Sequence, residues 1–327
     1  MLYGNKAQKD KYLAKIVSAE IKTCYCLTEP GAGSDANSGK TRAVLSSDGS
    51  HYVLNGQKMW ITSSGHADLF FVFAKIGDDK NLSCFIVEKS YGELGLGAEE
   101  KKMGIKGSST RQVFLENVPI PAENLLGERD GGFKIALNVL NTGRIKMSAS
   151  VTGNAKKALG LATIYARERI QFGQPIASFG AIQHKLAEMA AHIYAMESAL
   201  YRVSGYIDSR NDEMIGEGMS PLEAKYRAIA DFASECAFIK VYNTEAMALV
   251  ADEAVQIHGG MGYSADTKVE CLYRNARIDR IYEGTNEINR MLGAEQILPK
   301  VMTGKLDLME VVMSAATTPP DPAETIP

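Results

Sequence analysis

The sequence predicts an α+β multidomain fold, with an antiparallel β-barrel domain followed by an antiparallel four-helix bundle. Three observations predict it. Short strand-like runs separated by turn signals fill residues 22 to 118. Asp130-Gly131-Gly132 then interrupts the chain. Beyond it, apolar residues recur at steps of three and four, the period of a helix face. The division expected is residues 1–21, a short helical segment; 22–129, the β domain; 130–300, the bundle; and 301–327, a helical end and a tail.

In chain order, residues 5–19 read as a short helix. The strand runs are Thr41–Leu45, His51–Leu54, Lys58–Ile61, Leu69–Lys75, Cys84–Val87 and Gln112–Leu115. Asp48-Gly49 and Asn55-Gly56 sit between such runs and favour hairpin turns, so this half reads as a small barrel or sandwich. In the second half Ile182, Leu186, Met189, Ile193, Met196 and Leu200 form one helical stripe. Leu222, Tyr226, Ile229, Ala233 and Cys236 form another, enough in all for a bundle of about four helices. The methionines in these stripes read as packing residues. The tail from Ala315 is Pro-rich, and disorder is expected there. No internal repeat is visible.

The chain has 327 residues, long enough for two domains that each bury a core. Its 36 Lys and Arg against 39 Asp and Glu give a net charge of -3. Such a balance argues against a general nucleic-acid or membrane-surface role, so an anionic ligand needs a local site. The five cysteines (Cys24, Cys26, Cys84, Cys236, Cys271) are scattered without a zinc-like second pair. They read as reduced, mostly core residues of a cytoplasmic protein, and no metal site is expected. The first fifteen residues are polar, with no apolar h-region of a secretory signal. No stretch approaches the ~18 uninterrupted apolar residues of a transmembrane helix.

Three glycine-rich segments compete for a phosphate-binding role. Gly33 to Thr41 looks like a P-loop, but five residues rather than four separate its first Gly from Gly-Lys, and no buried strand precedes it. Gly31 and Gly33 begin a dinucleotide fingerprint that has Ala36 at its third position and no βαβ unit after it. The third segment, Gln256 to Tyr263, ends a helical stretch. A helix C-cap explains one of its glycines. Three within four residues also suit a backbone that approaches a ligand closely, and both readings stand.

Taken together, these segments resemble the acyl-CoA dehydrogenase family, its very-long-chain members in particular. Cys26 to Asp35 (CLTEPGAGSD) matches its first signature, and Lys58-Met59-Trp60-Ile61-Thr62 follows at the family's spacing. Arg169 to Ile176 (RIQFGQPI) matches the second. Gln256 to Gly262 and Ile281-Tyr282-Glu283-Gly284-Thr285 complete five ordered motifs across residues 24 to 290.

The resemblance implies flavin adenine dinucleotide (FAD) between the β domain and the bundle. Leu27 and Thr28 would contact the isoalloxazine ring, with Trp60, Ile61 and Thr62 on the same ring. Ser34 would sit where flavin and acyl-CoA meet. Arg169, Gln171, Phe172, Gln256, Ile257, Gly259 and Gly260 would reach the adenosine end of a neighbouring subunit's cofactor, where an Arg suits a pyrophosphate. Phe179, Thr285 and Glu287 would complete the cofactor site. For the substrate, Ser34, Asn141, Arg144 and Gly284 are implied. Glu283 would be the base that removes the proton beside the thioester, with hydride leaving the β carbon for flavin N5. The position that holds the base in some relatives is Gly143 here. The implied activity is α,β-dehydrogenation of a fatty acyl-CoA to the trans-2-enoyl-CoA, in fatty acid β-oxidation. The implied partners are an electron-transfer flavoprotein and further copies of the chain, as a dimer or tetramer.

Three features depart from the family pattern. Members begin with a helical domain of roughly one hundred residues, within the usual domain size, whereas here the signature starts at Cys26. The chain therefore reads as a fragment, with residues 1–21 the remnant of that domain. Asn141 stands where many members carry an acidic residue. Phe179-Gly180 replaces the family's more usual Phe-Gln. A second class of function stays open beside the dehydrogenase: an inactive flavin-binding fragment or scaffold.

Overall fold

The computed structural model describes residues 2–92, 94–304 and 307–317. The chain opens with helix α1 (Lys6–Val17), whose N-terminus is closed by a capping box. The Asn5 side chain accepts from the Gln8 amide at 2.9 Å, and the Gln8 side chain accepts in return from the Asn5 amide at 3.1 Å. Strands β1 (Thr23–Cys26), β2 (Arg42–Leu45), β3 (His51–Thr62), β4 (Leu69–Ile76), β5 (Ser83–Glu88), β6 (Gly95–Leu96), β7 (Thr110–Pro121) and β8 (Leu125–Leu126) form one sheet. Its order is β6-β7-β3-β2-β4-β5-β8, with β1 also paired to β4.

Two corrections follow from the pairing. The sheet is mixed, because β1 and β2 each run parallel to β4. It is also open: among the described residues β6 and β8 are two free ends of the strand order, and no pairing joins them into a closed barrel. The Asn55-Gly56 hairpin is not formed either. Both residues lie inside β3, where the register against β7 shifts between Leu54 and Gly56. A bulge absorbs the turn-favouring pair there. Asp48-Gly49 does lie between the antiparallel strands β2 and β3.

Burial explains why β4 reads as a continuous apolar run. Phe70, Val72, Ala74 and Ile76 face the main core of the sheet, with Leu54, Phe85, Val113 and Leu115. The alternate residues face the other way: Leu69 packs with Tyr12 of α1, and Phe73 with Ile135 and Ala136. A strand covered on both sides has no polar face.

The helical part follows as α2 (Gly132–Glu168), the small hairpin β9 (Ile170–Gln171) and β10 (Gln174–Pro175), α3 (Gly180–Gly216), α4 (Pro221–Asp231) and α5 (Ala233–His258). After these come α6 (Gly260–Tyr263), α7 (Lys268–Asp279), α8 (Asn286–Met302) and α9 (Leu308–Thr317). Helix α5 is central, packed against α2, α3, α7 and α8. Its seam with α2 consists largely of alanines: Ala155, Ala158, Ala162 and Ala166 face Ala246, Ala251 and Ala254. Small side chains let the two backbones come close along their length. The stripe expected from Leu222 to Cys236 is split at Phe232 into α4 and α5. Residues 315–317 belong to α9, and the rest of the expected disordered tail lies outside the described residues. Four cysteines are buried, Cys271 is exposed, and all five are free thiols.

Candidate active site

The site is built around the turn between α7 and α8, Arg280 to Thr285. Its centre is Glu283, a non-glycine residue held at φ +58°. Such a conformation costs on the order of 1–3 kcal/mol and persists only where surrounding contacts enforce it. Gly284 follows at φ +80°, so two successive left-handed residues fold the chain back before α8. Thr285 caps that helix, its Oγ1 accepting from the Ile288 amide at 3.3 Å.

The surrounding contacts come from three helices. From α2, Arg144 Nη1 donates to Asn141 Oδ1 at 2.8 Å, and Arg144 Nε donates to the Glu283 carbonyl at 3.4 Å. From α5, the fully buried Lys240 donates to the Gly284 carbonyl at 2.7 Å and to Asn286 Oδ1 at 2.8 Å. From α8, Asn289 Nδ2 donates to the Gly284 carbonyl at 2.7 Å and to the Thr285 carbonyl at 3.1 Å. The Glu283, Gly284 and Thr285 carbonyls are thus satisfied from within the protein.

The Glu283 carboxylate is different. Its Oε2 is buried and has no hydrogen-bond partner. It faces Gly143 so closely that a Cβ added there would lie 2.5 Å from Oε2 and 3.0 Å from Cδ. Burial pushes Glu283 above the ordinary carboxylate value, while the Arg144 and Lys240 charges pull it back. Asp279, one turn before, is pushed up to about 6 by burial, against the pull of the Tyr282 hydroxyl and Lys240. Tyr25 of β1 brings a second unpartnered buried atom, its hydroxyl, and burial raises it with help from the Cys84 and Glu283 charges. An orphaned carboxylate oxygen raised by burial is poised to accept a proton.

A close approach this tight yields a prediction. With Glu283 as the base that the resemblance implies, Gly143→Ala should lower single-turnover flavin reduction by about a hundredfold, the loss that a misplacement of about 1 Å can cause. The circular dichroism spectrum should not change. An alanine variant that keeps the parent rate would show that the Gly143–Glu283 contact does not set the carboxylate's position.

A second cluster lies on the β sheet. The structure joins the Leu27-Thr28 segment to the end of β3 through the Met59 amide, which donates to the Thr28 carbonyl at 2.9 Å. At Trp60 the register against β7 shifts again and φ is +60°, which leaves the indole 52% exposed. Thr28 is half-buried and Thr62 exposed, so an open aromatic face stands beside two hydroxyl-bearing residues. Such a surface fits a flat cofactor with an apolar face and a polar edge. Ser34 is exposed in the next loop. Leu27 and Ile61, by contrast, are core side chains.

Beneath this surface lies an ion pair that sequence reading did not single out. Lys58 Nζ, 0% exposed, donates to Glu29 Oε1 at 2.7 Å and to the Leu27 carbonyl at 3.1 Å. Glu29 also accepts from the Lys40 and Thr41 amides. The last two amides of the P-loop-like segment, Lys40 and Thr41, are thereby committed to a carboxylate within the protein.

The remaining expected site residues lie elsewhere. Arg169, Gln171 and Phe172 are exposed on the β9–β10 hairpin, Phe172 at 93%. Phe179 meets Phe172 edge to face, with ring centroids 6.1 Å apart. The nearby Tyr165 stacks on His258 at 4.3 Å, which brings the C-terminal ends of α2 and α5 together with Gln256, Gly259 and Gly260. This group is about 27 Å along α5 from Lys240, at 1.5 Å per residue. Ile257 is buried in the helical core, and Glu287 is exposed at the start of α8. The glycines of the third segment divide by role. Gly259 ends α5 at φ +57°, a Cβ on Gly262 would strike the Val255 carbonyl oxygen at 2.3 Å, and a Cβ on Gly260 would meet open space.

No group of His, Cys, Asp and Glu among the described residues could hold a metal ion. No helix among them is long and apolar enough to cross a membrane.

Comparison with known proteins gives two family matches. The model "Acyl-CoA dehydrogenase, middle domain" covers residues 24–118, and "Acyl-CoA dehydrogenase, C-terminal domain" covers residues 130–298. A probable acyl-CoA dehydrogenase of Bacillus subtilis is 46% identical over 314 residues, covering 96% of this chain and 53% of that protein. The mitochondrial very long-chain specific acyl-CoA dehydrogenase of Bos taurus is 44% identical over 304 residues, covering 90% of this chain and 44% of that protein. The crystal structure of an acyl-CoA dehydrogenase from Bacillus anthracis, complexed with FAD, superimposes with a TM-score of 0.90. It is 47% identical, over 96% of this chain and 54% of that chain. The chain thus spans about half the length of these relatives.

Proposed function

The chain belongs to the acyl-CoA dehydrogenase family, and from that premise we propose that it carries the catalytic centre of a flavin-dependent dehydrogenase of fatty acyl-CoA thioesters. The observation that carries this reading is the Glu283 carboxylate: buried, unpartnered at Oε2, raised by burial and pressed against a glycine. A thioester whose α carbon lies beside that oxygen would lose its proton to it. Burial favours the protonated carboxyl, while the Arg144 and Lys240 charges favour the ionised form, the form that acts as a base. The product class is the trans-2-enoyl-CoA, the first step of β-oxidation.

FAD would lie against Trp60, with Thr28 and Thr62 at its polar edge, and Thr285, Glu287 and Ser34 bordering it. When bound, it supplies the acceptor for the hydride that leaves the β carbon. An electron-transfer flavoprotein would then reoxidise it. Asn141, Arg144 and Gly284 would border the acyl-CoA. The test is the visible spectrum of the flavin-loaded protein, which should bleach on adding an acyl-CoA. A spectrum that stays unchanged would favour the inactive flavin-binding scaffold.

The separation of Arg169, Gln171, Phe172, Phe179 and the Gln256–Gly260 end of α5 from Glu283 supports an oligomer. The exposed members of this group, among them Arg169, Gln171, Phe172, Gln256, Gly259 and Gly260, would complete a neighbouring subunit's cofactor site, with Arg169 toward its pyrophosphate. Light scattering should give at least a dimer for the flavin-loaded protein. A monomer with full flavin occupancy would rule this out.

A further inference from the structure

Lys240 lies in the middle of α5, carries no exposed surface, and matches no motif. A buried lysine without a task is rare, because taking an ammonium out of water is costly unless its donors are used. Here two of them are. One meets the Gly284 carbonyl at 2.7 Å and another Asn286 Oδ1 at 2.8 Å. Asn286 is itself held, its Nδ2 donating to Thr244 Oγ1 at 3.1 Å and to Glu245 Oε1 at 3.1 Å. Glu245 is in turn paired with Arg290 at 2.7 Å. The carbonyl Lys240 grips belongs to the residue directly after Glu283, at the second of two left-handed positions.

We propose that Lys240 is a positioning residue for Glu283: its ammonium anchors the Glu283–Gly284 turn from below and sets the charge environment in which the carboxylate takes a proton. The inference rests on the reading of Glu283 as the base. The groups facing Glu283 are Arg144 from α2, Lys240 from α5, Tyr25 from β1 and its neighbour Tyr282. Those facing Lys240 are Arg144, Asp279, Glu283 and Glu287. Burial, with Arg144 beside it, brings Lys240 down to about 8, while the three carboxylates hold it up. It is therefore mostly charged at neutral pH, and its charge favours the ionised carboxylate of Glu283.

The role has two parts, a grip and a charge, and a neutral substitute removes the charge in either case. Arg144 cannot replace the grip, because its own bond in the turn goes to the Glu283 carbonyl.

The experiment compares the parent, Glu283→Gln and Lys240→Met as flavin-loaded proteins, with Lys240→Gln in place of the Met variant if that one does not fold. Single-turnover flavin reduction by an acyl-CoA is measured across pH, and backbone hydrogen exchange over residues 280–289 without substrate. Lys240→Met should be slower by about ten- to a hundredfold, the scale for a misplaced catalytic group. Its acidic limb should move to higher pH, because Glu283 has lost a stabilising cation. Exchange should quicken in residues 280–289 and stay at the parent rate elsewhere in the helical part. A parent rate with the parent acidic limb would overturn the proposal. So would a slow variant whose limb is unmoved and whose exchange quickens throughout the helices, since Lys240 would then be ordinary packing. If Glu283→Gln stays active, the base assignment falls by itself, and local exchange still decides whether Lys240 anchors the turn.

Discussion

Glu283→Gln should lower flavin reduction by acyl-CoA about 10²–10⁴-fold, the usual contribution of a positioned general base. That is about 3–5 kcal/mol at the barrier. Glutamine keeps the shape of the side chain beside Gly143 but cannot take a proton at neutral pH. The resting flavin spectrum should be unchanged, because the substitution lies on the turn before α8 and leaves the β3 surface around Trp60, proposed to hold the flavin, unaltered. In the parent protein burial raises Glu283 above the ordinary carboxylate value. The base form is the ionised one, so activity should grow as pH rises through that raised value. In Glu283→Gln the acidic limb should vanish together with the rate. A single-turnover loss below tenfold would remove Glu283 from the mechanism.

Lys58→Met should cost about 3–5 kcal/mol of stability, because it leaves the Glu29 carboxylate buried without its cation. For a domain of this size that is a fall in melting temperature on the order of 10 °C. Burial pushes Glu29 up, but Lys58 and the Thr41 and Lys40 amides pull it further down, to a net value below the ordinary one. Its contribution is therefore present above the unfolded value of about 4.3 and is lost as pH falls through the lower folded value. The double variant Glu29→Gln, Lys58→Met should recover part of the loss, since no charge is then stranded. Equal melting temperatures for parent and Lys58→Met would show that the pair adds nothing to the fold. The same substitution should weaken flavin binding, because Lys58 ties the Leu27-Thr28 segment to the strand bearing Trp60.

Much of this was legible in the sequence. Helix-period apolar stripes marked α3, α4 and the start of α5, since a helix that buries one face must repeat at three and four. The alternation and turn residues of the first half marked most of its strands. The motif around Glu283 singled out the residue whose carboxylate the structure leaves unpartnered. These features are local: each is written within a few residues and needs no partner to be read.

Other features were settled only when distant segments met. The parallel pairings of β1 and β2 with β4 depend on how separate strands are brought together, which turn residues do not encode. Asn55-Gly56 has the composition of a hairpin, yet the continuous pairing of β3 with β7 turned it into a bulge. The stripe from Leu222 to Cys236 is periodic throughout, but the chain breaks at Phe232. Lys58 and Glu29 are 29 positions apart, and Lys240 and Gly284 are 44 apart. A lysine in a strand or helix reads as a solvated residue until packing removes its water and leaves it acceptors from distant segments: Glu29 and the Leu27 carbonyl for Lys58, Asn286 and the Gly284 carbonyl for Lys240. Likewise Gly143 reads in sequence only as a missing base. Folding shows it as the space that Glu283 occupies, because one Cβ there would overlap the carboxylate brought to it from the turn before α8.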